Sequence, residues 1–124
     1  MELRRILIVD DNPASRLLVR RVLADEGHVL FEANDGLSAL AKIRSEKPDL
    51  VLLDIMMPLM NGFAVIARVR GQLGLARLPI IIMSSKSEEE SQSLALDLGA
   101  DAYLTKPFVP AALKAKINAL LPAL

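Results

Sequence analysis

Asp10, Asp11, Asp54, Ser84 and Lys106 are the residues of this chain whose types could act together: three carboxylates, a hydroxyl and an amine. Each stands just beyond a short apolar run: Ile6–Val9 before Asp10-Asp11, Leu50–Leu53 before Asp54, Ile80–Met83 before Ser84-Ser85, and Ala102–Leu104 before Thr105-Lys106. Such runs read as buried strands. In an open parallel sheet they point the same way, so their C-terminal ends share one edge and the five groups converge there. Crowded carboxylates cannot all stay ionised unless one takes up a proton or a cation sits among them. With no cysteine in the chain and no histidine at these strand ends, a hard, oxygen-preferring ion is the candidate, and Mg2+ suits a site of few carboxylates and several waters. Any one Asp after a strand is most simply a helix cap or turn former. Three at one edge, with Lys106 and Ser84 opposite, point to a site.

The elements that must position these groups alternate along the chain. Asn12 can cap a helix with Pro13 at its first position, and Leu18, Val22 and Leu23 share a face before Asp25-Glu26-Gly27 ends it. From His28 to Ala33 apolar and polar residues alternate, with Val29, Phe31 and Ala33 expected inward and His28, Leu30 and Glu32 outward, as on an edge strand. Asn34-Asp35-Gly36 turns into a helical stretch, Leu37–Glu46, which Lys47-Pro48-Asp49 stops. Asn61-Gly62 is a turn leading into helical sequence, and Gly71–Gly74 marks a flexible exit from the third helix. Ser87 and Glu90 have capping-box spacing, and Gly99 suits the C-terminal end of that fourth helix. Its polar start, Lys86–Ser93, leaves little apolar area to anchor it, so it is expected to be the most mobile helix. Leu113, Ile117, Leu120 and Leu121 give the last helix its apolar stripe.

Five strands alternating with five helices predict an α/β fold: a doubly wound, flavodoxin-like parallel sheet with right-handed crossovers and helices on both faces. The three continuous apolar runs belong in the centre, the alternating second strand and the short fifth at the edges. That is the order 2-1-3-4-5, whose direction reverses between the first and third strands, where Asp10, Asp11 and Asp54 stand. A chain of 124 residues fits a single domain, 1–124, and fifteen basic against fifteen acidic side chains leave no overall field toward nucleic acid or anionic lipid. Absence of cysteine fits a reducing compartment. The start, Met1–Arg5, is followed by an apolar run too short for a signal peptide, and no segment could span a bilayer, so a cytoplasmic protein is expected.

These residues resemble the receiver domain of bacterial response regulators, the phosphoacceptor modules of two-component signalling. The resemblance runs over essentially the whole chain: Asp10-Asp11, the stretch Asp54-Ile-Met-Met-Pro58-Leu-Met-Asn-Gly62, Ser84 thirty residues beyond Asp54, and Lys106-Pro107-Phe108 twenty-two beyond that. It implies that Asp54 is the phosphoacceptor, attacking the phosphorus of a phosphohistidine on a sensor histidine kinase or histidine phosphotransfer protein to give an aspartyl phosphate. Asp11 and Asp54 would hold Mg2+ directly, Asp10 through water and Met56 through its backbone carbonyl. Lys106 and Ser84 would bind phosphoryl oxygens, and the Lys106–Pro107 bond would be cis. Ser84 and Tyr103 would switch, remodelling the face of the fourth helix, fifth strand and fifth helix for a downstream protein target or a phosphorylation-dependent dimer. Met56 and Lys86 sit where the family tunes phosphoryl lifetime. The implied activity is not that of an enzyme on a separate substrate; the domain takes part in its own phosphorylation and autodephosphorylation. Ser84 replaces the more frequent threonine, and Ser85 a small residue beside the phosphate, both conservative changes.

Other readings are weaker. A haloacid-dehalogenase-type enzyme also combines Asp, Ser or Thr, Lys and Mg2+, but needs a second acid two residues past its nucleophile, where this chain has Met56. A flavodoxin needs a hydroxyl-rich phosphate loop where Asp10-Asp11 would repel phosphate. Met56, Met57 and Met60 could form a partner surface, although loop packing is the commoner use. A phosphorylation-independent binding module would not need the acidic site. The expectation is a stand-alone receiver that signals by protein contact, with no direct nucleic-acid contact; the alternative is the receiver segment of a longer regulator with a DNA-binding or enzymatic output domain.

Overall fold

The computed structural model describes residues 4–121; Met1–Leu3, part of the N-terminal segment considered above, lie outside the described residues. Five strands, β1 (Arg5–Val9), β2 (Val29–Ala33), β3 (Leu50–Leu53), β4 (Ile80–Ser84) and β5 (Ala102–Thr105), alternate with five helices, α1 (Pro13–Leu23), α2 (Gly36–Glu46), α3 (Gly62–Arg70), α4 (Glu89–Leu98) and α5 (Pro110–Leu120). All strand pairs are parallel and the order is β2-β1-β3-β4-β5, as expected. The registers Val9↔Leu53, Leu53↔Ile82 and Ser84↔Thr105 bring the strand ends level, which is what gathers the polar residues that follow them.

The continuous apolar runs exist because the central strands are covered on both faces. Leu7, Val9, Val51, Leu53, Ile80 and Ile82 face Ile43 of α2, Val65, Ile66 and Val69 of α3 and Ala95 of α4. Ile6, Ile8, Leu50, Leu52, Ile81 and Met83 face Val19 and Leu23 of α1 and Leu113 and Ile117 of α5. Full burial of each such Leu or Ile is worth about 1.5–3 kcal/mol, so these two layers hold the sheet rigid beneath its edge. The described residues contain no helix long and apolar enough to cross a membrane.

Helix entries follow the side chains that cap them. The Asn12 amide oxygen accepts the N–H of Ala14 at 2.8 Å, Asp35 accepts that of Ser38 at 2.7 Å, and Asn61 accepts that of Ala64 at 3.0 Å. Gly99, at φ 116°, ends α4 as its sequence position suggested. Three expectations need correction. The Ser87–Glu90 capping box does not form: α4 starts at Glu89 behind Glu88, which makes no side-chain cap bond. Backbone groups of Lys86 are held by Ser84 and Tyr103, and this loop delays the helix, leaving Glu89 and Glu90 to favour its N-terminal dipole. On α1 it is Val19, four residues before Leu23, that is buried, while Leu18 is 56% exposed one residue round the helix. On β2, Leu30 packs against the α1–α5 layer instead of facing solvent, and Val29 is exposed at the strand's start, because both faces of this edge strand are partly covered.

Candidate functional site

The edge of the sheet continues one residue past the assigned strands. The Asp10 N–H donates to the Ala33 carbonyl at 3.1 Å and the Asp54 N–H to that of Val9 at 2.9 Å, so both residues are placed by the ladder and not by a free loop. Asp10 is almost wholly buried and both its oxygens are engaged: Oδ1 accepts the Asn12 N–H at 2.9 Å, and Oδ2 accepts Lys106 Nζ at 2.7 Å. The Lys106 N–H in turn donates to the Ser84 carbonyl at 2.7 Å, which anchors the amine's backbone to β4. Asp54 is buried and Asp11 exposed, and each of the three carboxylates offers an oxygen within 4.8 Å of the others. The Lys106–Pro107 bond is cis.

Burial is the main reason the Asp54 carboxyl titrates above its ordinary range. The Lys106 charge opposes that rise, the Asp10 charge reinforces it, and backbone N–H groups of Met56 and Ile55 favour the anion. One amine among three carboxylates leaves a site with a deficit of positive charge. A divalent cation between Asp11 and Asp54 would remove it.

Close backbone packing fixes the loop after β3. The Gly62 N–H donates to the Ile55 carbonyl at 2.9 Å, and a Cβ on Gly62 would lie 2.5 Å from the Asp54 carbonyl oxygen. Only glycine lets α3 start directly against the backbone of Asp54. Leu59, at φ 68°, turns the chain between them and is 88% exposed. The methionines divide: Met57 and Met60 pack on the core, as loop packing requires, while Met56 is exposed beside the site.

Across the edge, Ser84 is fully buried and its Oγ accepts the Lys86 N–H at 3.1 Å. The Tyr103 hydroxyl donates to the Lys86 carbonyl at 2.5 Å. Burial is the main cause holding that phenol above its ordinary range. Ser84 and Tyr103 are therefore coupled through one residue's backbone. Lys106, Pro107 and Phe108 border a groove of about 320 Å³ completed by Ser15, Leu18, Val19 and Ser85.

Each residue singled out from the sequence thus lies at or beside one edge. Two contributors had not been read there. Gly62 had been read as a turn former and as the end of the stretch that carries the resemblance, with no contact to Asp54 assigned to it. Arg16 donates from Nη1 to the Asp10 carbonyl at 2.7 Å and from Nε to Glu32 at 2.8 Å, pinning the β1–α1 turn to β2. Its signal was faint: a cation six residues past Asp10, on the helix that follows. His28 precedes β2 and is half-buried, and its Nδ1 is buried with no partner among the described residues.

Comparison with known proteins agrees with this geometry. The family profile of the response regulator receiver domain matches residues 6–118. The alkaline phosphatase synthesis transcriptional regulatory protein PhoP of Bacillus subtilis is 40% identical over 118 residues, which are 95% of this chain and 48% of PhoP. Response regulator MprA of Mycobacterium tuberculosis is 41% identical over 94% of this chain and 50% of its own length, so this chain spans about half the length of these curated relatives. Among solved structures, the chemotaxis protein CheY4 of Vibrio cholerae superposes with a TM-score of 0.89 at 32% identity, covering 97% of this chain and 100% of that one. A response regulator receiver domain protein from Methanospirillum hungatei gives 0.88 at 34% identity over 97% of this chain and 94% of that one. With its sheet order, its acidic edge and a profile match over nearly its full length, this chain belongs to the response regulator receiver domain family.

Proposed function

We propose that Asp54 accepts a phosphoryl group from a phosphohistidine of a sensor histidine kinase or histidine phosphotransfer protein, and that the phosphorylated domain signals through its α4–β5–α5 face. The observation that carries this reading is the convergence of the Asp10, Asp11 and Asp54 carboxylates at one strand edge, with the Lys106 amine bound among them. In the transfer an Asp54 oxygen forms a bond to phosphorus as the phosphorus–nitrogen bond breaks, and the electron pair of that bond returns to the donor imidazole. Hydrolysis later puts a water oxygen on phosphorus and restores the Asp54 carboxylate, so the domain turns over its own phosphate and acts on no separate substrate.

The donor set of carboxylate oxygens, without nitrogen or sulfur, fits Mg2+, which Asp11 and Asp54 would hold directly, Asp10 through water and Met56 through its carbonyl. When bound it supplies charge neutralisation that lets two anions approach. Lys106 exchanges Asp10 for a phosphoryl oxygen, and the Ser84 hydroxyl donates to another. Turning toward the phosphoryl group, Ser84 releases the Lys86 N–H and loosens the segment that Tyr103 also holds. That segment leads into α4, whose only fully buried side chain is Ala95, so the helix is weakly anchored and suited to move. Met56 and Lys86, at the rim, set how readily water reaches the phosphate. The groove beside Lys106 and Phe108, with Leu18 exposed along it, offers an apolar shelf to the phosphohistidine donor. Work in a bacterial cytoplasm, without direct nucleic-acid contact, belongs to the same reading.

Intact mass after incubation with acetyl phosphate tests it. A Mg2+-dependent gain of one phosphoryl group, absent in Asp54→Asn, is the expected result. No gain from acetyl phosphate and no beryllofluoride binding would refute it. A second reading has a specific observation behind it: because the chain spans about half of PhoP and MprA, the receiver segment of a longer regulator with an output domain stands beside the stand-alone receiver.

A further inference from the structure

The opposite edge of the sheet carries a second concavity, remote from the acidic site. Its walls are the C-terminal end of α2 with the residues leading into β3 (Ile43, Arg44, Lys47, Pro48, Asp49) and the segment leading into β4 (Leu73, Leu75, Arg77, Leu78, Pro79), and they enclose about 690 Å³. The floor is apolar: Ile43 and Pro48 are buried, Leu73, Leu78 and Pro79 partly so. Arg44 and Lys47 stand exposed on one wall and Arg77 on the other, and none of the three has an ion pair or side-chain hydrogen bond among the described residues. Against these three cations the lining holds one carboxylate, Asp49, while Glu46 beside it is paired. Asp49 accepts the Arg5 N–H at 2.8 Å, and Glu46 pairs with the Arg5 guanidinium at 3.1 Å. The second wall is built rather than loose: the Leu75 N–H donates to the Val69 carbonyl at 3.0 Å, and the Leu75 carbonyl accepts Arg70 Nη1 at 2.7 Å.

We propose that this trough is a binding site for a small organic anion, a carboxylate or sulfonate on an apolar ring or chain. Three cations without partners facing across an apolar floor are complementary to one negative group joined to an apolar body. Size favours a small molecule over a protein: the volume lies within the roughly 300–1,000 Å³ of ligand pockets. A stable protein interface needs about 800 Å² from each partner, more than this trough provides. The site is independent of the phosphoacceptor reading.

The test uses 8-anilinonaphthalene-1-sulfonate beside its uncharged relative N-phenyl-1-naphthylamine, each titrated into 15N-labelled protein. The sulfonate is expected to shift the amides of Ile43, Lys47, Leu75 and Arg77 and to bind at least tenfold tighter than the neutral compound. Arg44→Glu with Arg77→Glu should weaken the sulfonate at least tenfold and leave the neutral compound unchanged. Both positions are exposed, and the wild-type comparison of the two compounds stands even if that variant folds poorly. Equal affinity for the two compounds, or shifts confined to other regions, would overturn the proposal. So would a short peptide of alternating Glu and Leu that shifts these amides at lower concentration than the sulfonate, since the trough would then be a peptide groove.

Discussion

Replacing Asp54 by Asn should make the metal-free protein more stable, although it removes the residue on which the proposed function depends. The Asp54 carboxyl is buried among charges, and its pKa is raised chiefly by that burial. A carboxyl whose folded-state pKa is raised contributes stability that is fully present below its unfolded value and lost as pH rises through the folded value. Above the folded value that contribution is gone, and Asn keeps the position uncharged at every pH. The magnitude follows from the neighbours. Asp10 is neutralised by Lys106 at 2.7 Å, so the pair acts on Asp54 nearly as a neutral unit, and Asp11 is the uncompensated neighbour. At the 4.8 Å limit of their separation, two unit charges repel by about 1 kcal/mol in water and about 3.5 kcal/mol at an effective dielectric of 20. Asp11 is exposed, which places the pair toward the lower figure, and desolvation of Asp54 adds to it. We expect Asp54→Asn to gain about 1–2 kcal/mol in chelator at pH 7, a rise in Tm of roughly 4–8 °C for a domain of this size. Mg2+ at ten times its Kd should then stabilise wild type by about 1.4 kcal/mol and the variant by less than half of that, narrowing the gap. Scanning calorimetry of both proteins with EDTA and with Mg2+ reads all four values. A variant less stable than wild type in EDTA, or an equal Mg2+ increment in both, would refute the reasoning.

Lys106→Ala should leave the buried Asp10 carboxylate without its cation and cost on the order of 2–3 kcal/mol by denaturant titration; it should still take up phosphate yet lose most of the amide shifts that beryllofluoride causes along α4, and a wild-type response would contradict the role given to Lys106. Gly62→Ala places a Cβ 2.5 Å from the Asp54 carbonyl oxygen, a backbone collision that only movement of α3 relieves. We expect a loss of about 1–3 kcal/mol, the range of strain and overpacking at a tight site, together with weaker Mg2+ binding by titration; unchanged stability would show that the approach is not tight. Burial of Glu32 would raise its pKa, but the guanidinium groups of Arg20 and Arg16 outweigh burial and lower it below 4.5. The resulting stability is present above the unfolded value and lost as pH falls through the folded one, so Glu32→Gln should flatten the decline of Tm on the acid side of pH 4.5. An acid limb of unchanged slope would count against that network.

How much of this was legible beforehand depended on whether one constraint acted alone at a position. Ile6–Val9, Leu50–Leu53 and Ile80–Met83 are apolar without interruption because helices cover both faces, and that one cause fixed them as central strands and put Asp10, Asp54 and Ser84 at a common edge. Asn12-Pro13 and Gly99 were equally plain, since cap chemistry is local. The misread positions are those where two demands compete. Ser87 and Glu90 have the spacing of a capping box, yet the backbone of Lys86 is already held by Ser84 and Tyr103, so the helix starts later. Leu30 alternates like a solvent-facing residue, but an edge strand beneath α1 is covered on that side as well. Gly62 and Arg16 act through backbone carbonyls of Asp54 and Asp10, partners that carry no side-chain signature. The same distinction separates the acidic edge, which follows from strand direction and residue type, from the link between Ser84 and Tyr103, which meet at the Lys86 backbone and appear together only in three dimensions. On the function proposed above, releasing the Lys86 carbonyl from Tyr103 should leave phosphoryl uptake at Asp54 intact and weaken the response of α4, so Tyr103→Phe should keep the mass gain from acetyl phosphate and lose part of the beryllofluoride-induced amide shifts along α4.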